Sequence, residues 1–94
     1  MKKYIAIHNY NGGATSIPEQ LNAVLDAGEF TEDTRFFFPV NEYISMWIIT
    51  HMMNHFEIVY DNDFSQHNSV FKPREWVLKS IAKGDGRFKF NSWG

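Results

Sequence analysis

Apolar and polar positions along the chain follow two different rhythms, and the switches between them mark its elements. Tyr4-Ile5-Ala6-Ile7 and Phe36-Phe37-Phe38 are continuous apolar runs rather than alternating ones. Runs of this kind suit strands covered on both faces. They predict strands over Lys3–Asn9 and Thr34–Val40, with Pro39 at the end of the second, where the missing N–H costs no ladder bond. Between them Ile17, Leu21, Val24 and Leu25 recur at helical spacing. Ser16 and Glu19 have the S-x-x-E spacing of a capping box, Pro18 suits a first turn, and Gly28 supplies a left-handed stop.

The next stretch, residues 41–56, is predicted as a helix capped by Asn41, with Glu42 favourable to the helix dipole. Ile48, Ile49, Met46, Met52, Met53 and Phe56 gather on one broad side; Tyr43, Trp47, Thr50, His51, Asn54 and His55 gather on the other, with Ile44. Its composition also suits a strand, and length decides for the helix. A third strand is expected over Phe56–Tyr60 and a polar connection over Asp61–Phe71. A helix follows over Pro73–Lys83, then a Gly84-Asp85-Gly86 turn and a half-exposed last strand, Arg87–Trp93.

The order β-α-β-α-β-α-β predicts one α/β domain spanning residues 1–94. Its four-stranded sheet is mostly parallel, with helices on both faces and right-handed crossovers. The alternative is a ferredoxin-like α+β fold with an extra helix. A chain of 94 residues has room for one core. Aromatics make up 17% of it, enough apolar area to offset chain entropy and exclude a disordered class. There is no cysteine, hence no disulfide framework and no thiolate metal site. The start, MKKYIAIHNYNGG, has too short an apolar run for a signal peptide or a membrane span, so a cytoplasmic protein without membrane contact is expected.

Net charge is −2 but unevenly placed: residues 1–28 are neutral, 29–63 carry −6 and 64–94 carry +4. Such asymmetry suits neutralisation within the fold, or head-to-tail contact between copies.

In an open α/β sheet, ligands gather beyond the carboxyl ends of the strands. His8, Asn9, Asn11, Gly12, Gly13, Thr15 and Ser16 follow the first strand, Asn41 the second, and Asp61 and Asp63 the third. Glycines allow close backbone approach and a helix start offers free N–H groups, so a small anion could rest on Gly13–Ser16. His8 beside Asp61 or Asp63 would then be a general base. There is, however, no G-x-G-x-x-G, no Walker lysine and no G-x-S-x-G, and Asn-Gly-Gly is also an ordinary tight turn. No catalytic residue is assigned and no cofactor is expected.

His51 and His55 have zinc-compatible spacing, but HMMNH lacks the glutamate of H-E-x-x-H and no third ligand is signposted; no metal site is assigned. With Tyr43 and Trp47 they form the expected interface, for another protein or for a second copy in a homodimer. RFKF near the C-terminus invites nucleic acid. IAIHNY resembles a ribonucleoprotein motif of the RNA-recognition family, over the first strand and helix only. Ala6 stands where that family places a stacking aromatic, and FEIVYD lacks its glycine and basic start. Nucleic acid is therefore not an expected partner.

The reading is a small non-enzymatic interaction protein, of the accessory or inhibitor kind that phages and mobile elements encode. The alternative is a nucleotide- or phosphate-binding domain using Gly12–Ser16 with His8 and Asp61, which would sequester or slowly hydrolyse its ligand.

Overall fold

The computed structural model describes residues 1–64, 69–84 and 86–93. It is a small α/β domain with three α-helices and a four-stranded mixed sheet. The elements are β1 (Lys3–Ala6), α1 (Ser16–Asp26), β2 (Thr34–Phe37), α2 (Met46–His55), β3 (Phe56–Val59), β4 (Val70–Pro73) and α3 (Glu75–Lys83), with a 3-10 turn over Tyr10–Gly12. The sheet order is β1-β2-β4-β3.

β1 and β2 pair in parallel, joined by α1, as expected. β4 pairs antiparallel with both β2 and β3. The sheet is therefore mostly antiparallel, which corrects the parallel expectation. β1, β2 and β3 still point the same way, because β4 inserts between β2 and β3 and reverses direction twice. The ferredoxin-like alternative does not hold either: β1 and β2 are direct neighbours, with no strand between them.

The inserted strand lies where a polar connection and a helix start were expected. Val70, Phe71 and Pro73 are buried and Lys72 is half-buried. Pro73 fits the last position of the strand, and the helix begins two residues later at Glu75. The expected strand Arg87–Trp93 does not form. Phe90 instead exchanges two hydrogen bonds with the side-chain amide of Asn22 on α1: its N–H donates to Oδ1 at 2.8 Å and its carbonyl accepts from Nδ2 at 2.9 Å. That amide takes the place of a neighbouring strand, so the segment crosses α1 outside the sheet. The Trp93 N–H donates to the Ala14 carbonyl at 2.8 Å and fixes its far end. Asp85 of the expected turn, and residues 65–68 of the polar connection, lie outside the described residues.

One buried cluster joins Phe36, Phe56 and Phe71 from the sheet to Ile17 and Leu21 of α1, Ile48 and Met52 of α2, Val77 of α3, and Phe90. Side chains alternate between faces along a strand, so Tyr4 and Phe37 turn to the other side. There Phe64 stacks on Tyr4 at 4.9 Å and lies against Phe37 at 4.7 Å between ring centroids. Among the described residues the helices thus cover one face and Phe64 meets the other, correcting the expectation of helices on both.

Two helix starts also differ. Ser16 is the first residue of α1 and its hydroxyl donates to the Tyr10 carbonyl at 2.7 Å, so no capping box forms with Glu19. α2 begins at Met46, not after Asn41, because Glu42 and Tyr43 are tied back to the end of β1.

Candidate functional site

At the carboxyl ends of β1 and β2 the structure brings together His8, Asn9 and Glu42. His8 donates through Nδ1 to Glu42 Oε1 at 2.6 Å, and the Asn9 N–H donates to Glu42 Oε2 at 2.9 Å. Asn9 Nδ2 donates to the Tyr43 carbonyl at 2.6 Å. The His8 backbone is held from the other side by Gln20, whose Oε1 accepts from its N–H and whose Nε2 donates to its carbonyl. An ionised carboxylate only accepts, so Glu42 fixes the imidazole proton on Nδ1 and leaves Nε2 to act as an acceptor when the ring is neutral.

Burial pushes the Glu42 carboxyl up. The hydrogen bonds from His8 and Asn9 and the His8 charge outweigh it and hold the group below the usual carboxylate range. A depressed folded-state pKa contributes stability above the unfolded value and loses it as pH falls through the folded one. Thermal melts from pH 7 to pH 3 should therefore show wild type more stable than Glu42→Gln above about pH 5, with the gap closing below about pH 4. A gap that stays constant across this range would show that the carboxylate charge is not what ties Asn9 and His8 to this loop.

Glu42 also stands on the wall of a cavity of about 230 Å³, lined otherwise by Phe38, Pro39, Val40, Ile44, Ile49, Phe71 and Ser69. Asn11, Thr15 and Ser16 line a separate hollow with Ala14 and Glu19. That hollow has a carboxylate and no cation on its wall, an unfavourable lining for phosphate. Gly12 and Gly13 have φ of 82° and 85°, so both need the left-handed freedom of glycine.

The expected pairing of His8 with Asp61 is not made. Asp61 accepts from the Tyr4 hydroxyl at 2.8 Å and lies 3.5 Å from Lys2 Nζ, on the sheet face away from the helices. Its Oδ1 accepts from the Asp63 N–H, an Asx-type turn. The Tyr4 bond, opposed by burial and helped by the Asp63 N–H and Lys2, holds Asp61 low. Burial first, then Asp61, pushes the Tyr4 phenol up to about 12. Asp61 and Asp63 thus fasten the β3 exit across the sheet instead of joining the loop after β1.

The expected interface also divides. Tyr43 is 81% exposed and Trp47 41%. His51 lies flat on Trp93 at 5.2 Å, and His55 packs against Trp76 and Phe90 at 5.4 and 5.1 Å. The C-terminal segment covers the two histidines, and burial leads the lowering of the His55 pKa. No cluster of three or more metal-ligating side chains forms among the described residues. Nor is any described helix long and apolar enough to cross a membrane.

Glu42 is the site residue that sequence reasoning missed. It reads locally as a helix-start acid, and nothing in the chain signals that it reaches back 34 positions to His8. No protein-family model, curated protein or solved structure matches this chain.

Proposed function

We propose that this chain is a non-enzymatic accessory or inhibitor protein that works by contact, through the outward face of α2. The observation that supports this is the content of that face. Met46, Trp47 and Met53 are all exposed, and Tyr43 stands exposed on the loop just before the helix. At 100° per residue, Met46, Thr50 and Met53 fall within one narrow stripe, opposite the buried Ile48 and Met52, with Trp47 at its side.

A stripe of Met and Trp on a solvent-facing helix is unfavourable for an isolated chain and characteristic of a contact surface. Thr50 and Asn54 are the polar positions within it, enough for solubility and specificity without a charged barrier. His51 and His55, turned towards the C-terminal segment, act as support for this helix rather than as part of the contact.

Trp47→Glu combined with Met53→Glu should leave the fold intact, since both side chains are exposed. It should weaken partner binding by about 30-fold or more, the scale of an aromatic hot spot. The measurement is affinity capture by wild type and variant side by side, followed by titration of the captured protein. A protein held equally by both chains, or none held by either, sinks the proposal.

A further inference from the structure

We infer that Met46 and Met53 form a modification site: hydroperoxides oxidise both to sulfoxides and so switch the α2 face off while the fold stays intact. This rests on the reading of α2 as the contact face. The observation behind it is a contrast between neighbours. Met52 and Met53 are adjacent in sequence, yet Met52 is 0% exposed and Met53 44%. Met46, the first residue of α2, is 73% exposed. The two exposed methionines stand seven positions apart, about two turns of helix, and so share one side of it.

The step needs only an accessible thioether. The sulfur lone pair attacks one oxygen of hydrogen peroxide, the O–O bond breaks, an S=O bond forms and water leaves. Sulfur loses two electrons and the peroxide gains them. The chain has no cysteine, so no thiolate competes for the oxidant, and its four methionines are its whole sulfur content. Met52 is enclosed in the core. Met1 is exposed, but it lies beside Lys2, Tyr4, Asp33 and Asp63, on the sheet face opposite the helices.

Oxidation changes what the α2 stripe offers. A thioether is apolar and pliable, whereas a sulfoxide is polar and carries an acceptor oxygen. In the free chain both new oxygens face water, so the fold loses nothing. Against a partner each oxygen is stripped of water and needs a donor. The Thr50 hydroxyl within the stripe already donates to the Met46 carbonyl at 2.9 Å, so its proton is not free for either oxygen. Each sulfoxide therefore weakens the contact by about 10-fold or more. The change is reversible: sulfoxide reductases restore the thioether as two thiols join in a disulfide and the oxygen leaves as water.

The folded chain is treated with dilute hydrogen peroxide, and its methionine peptides are followed by mass spectrometry. Met46 and Met53 should oxidise at least about 10-fold faster than Met52, as site selectivity follows exposure. Far-UV circular dichroism and the urea midpoint should not change. The protein captured by untreated wild type should then bind the oxidised chain about 100-fold more weakly. Met46→Leu combined with Met53→Leu is read as a ratio: whatever its own affinity, peroxide should cause it no further loss. Equal oxidation at positions 52 and 53, unfolding of the oxidised chain, unchanged binding after oxidation, or a peroxide loss that persists in the double leucine variant would each overturn the inference. Failure of the α2 reading shows earlier, before any peroxide is added, as no capture or as equal capture by wild type and the Trp47→Glu, Met53→Glu chain, and it takes this inference with it.

Discussion

Replacing Phe90 with alanine should destabilise the protein by about 3–5 kcal/mol, the range for deleting a fully buried aromatic ring. Phe90 is buried and its ring touches Phe30, His55, Phe56 and Phe88, with centroids 5.1–6.0 Å apart. It is the apolar anchor of a segment without a strand partner. Once the ring is gone, that segment keeps backbone and hydroxyl bonds to Asn22 and Ala14, the partial packing of Phe88 and Trp93 on the core and the stacking of Trp93 on His51. The loss is large beside the whole stability of a typical domain, about 5–15 kcal/mol. Urea unfolding measures the total, and amide exchange at Phe90 and Trp93 reports whether the segment leaves first. A loss under about 1 kcal/mol would show that the core closes without the C-terminal segment.

Phe90 also shows where sequence reasoning stops. Phe88 and Phe90 do alternate with polar residues, but alternation reports an extended backbone, not a paired one. The same period arises when a side-chain amide on α1 supplies the two bonds a strand would have given. β4 failed for the opposite reason. Its four residues follow a polar stretch, and Pro73 suits the end of a strand as well as the start of a helix. β1, α1, β2 and β3 were legible because each has its own local signal: apolar runs bounded by Asn, Gly and Pro, and the 17, 21, 24, 25 spacing.

Sheet direction had no local signal, since it depends on β4 arriving between β2 and β3 from about 30 positions beyond β2. The candidate site divides in the same way. His8 and Asn9 were placed at a strand end by their position after β1. Their partner Glu42 is set by how the loop before α2 folds back. Tyr43 and Trp47 were legible as an outward face. His51 and His55 were not, because the path of Phe90 and Trp93 decides their surroundings.

Gly13→Ala should cost about 2–5 kcal/mol, and Gly12→Ala about 1–2, although the two glycines are adjacent and have nearly the same φ. Both have φ above 80°, so an added Cβ meets the left-handed penalty at either position. At Gly12 that Cβ would enter open space. At Gly13 it would stand 2.8 Å from Asn9 Oδ1, 2.9 Å from Ile17 Cδ1 and 3.2 Å from Ile48 Cδ1. Ile17 and Ile48 are fully buried core side chains without room to retreat, and Asn9 is held by Glu42 and Tyr43. Overpacking of this kind adds about 1–3 kcal/mol to the backbone cost. Paired urea unfolding curves with equal slopes isolate the difference. If the two variants lose the same stability, packing at Gly13 is absent. If Gly13→Ala loses more, the Asn-Gly-Gly turn is explained by the core, where the second glycine lets the end of β1 close onto α1 and α2, and no ligand is needed to account for it.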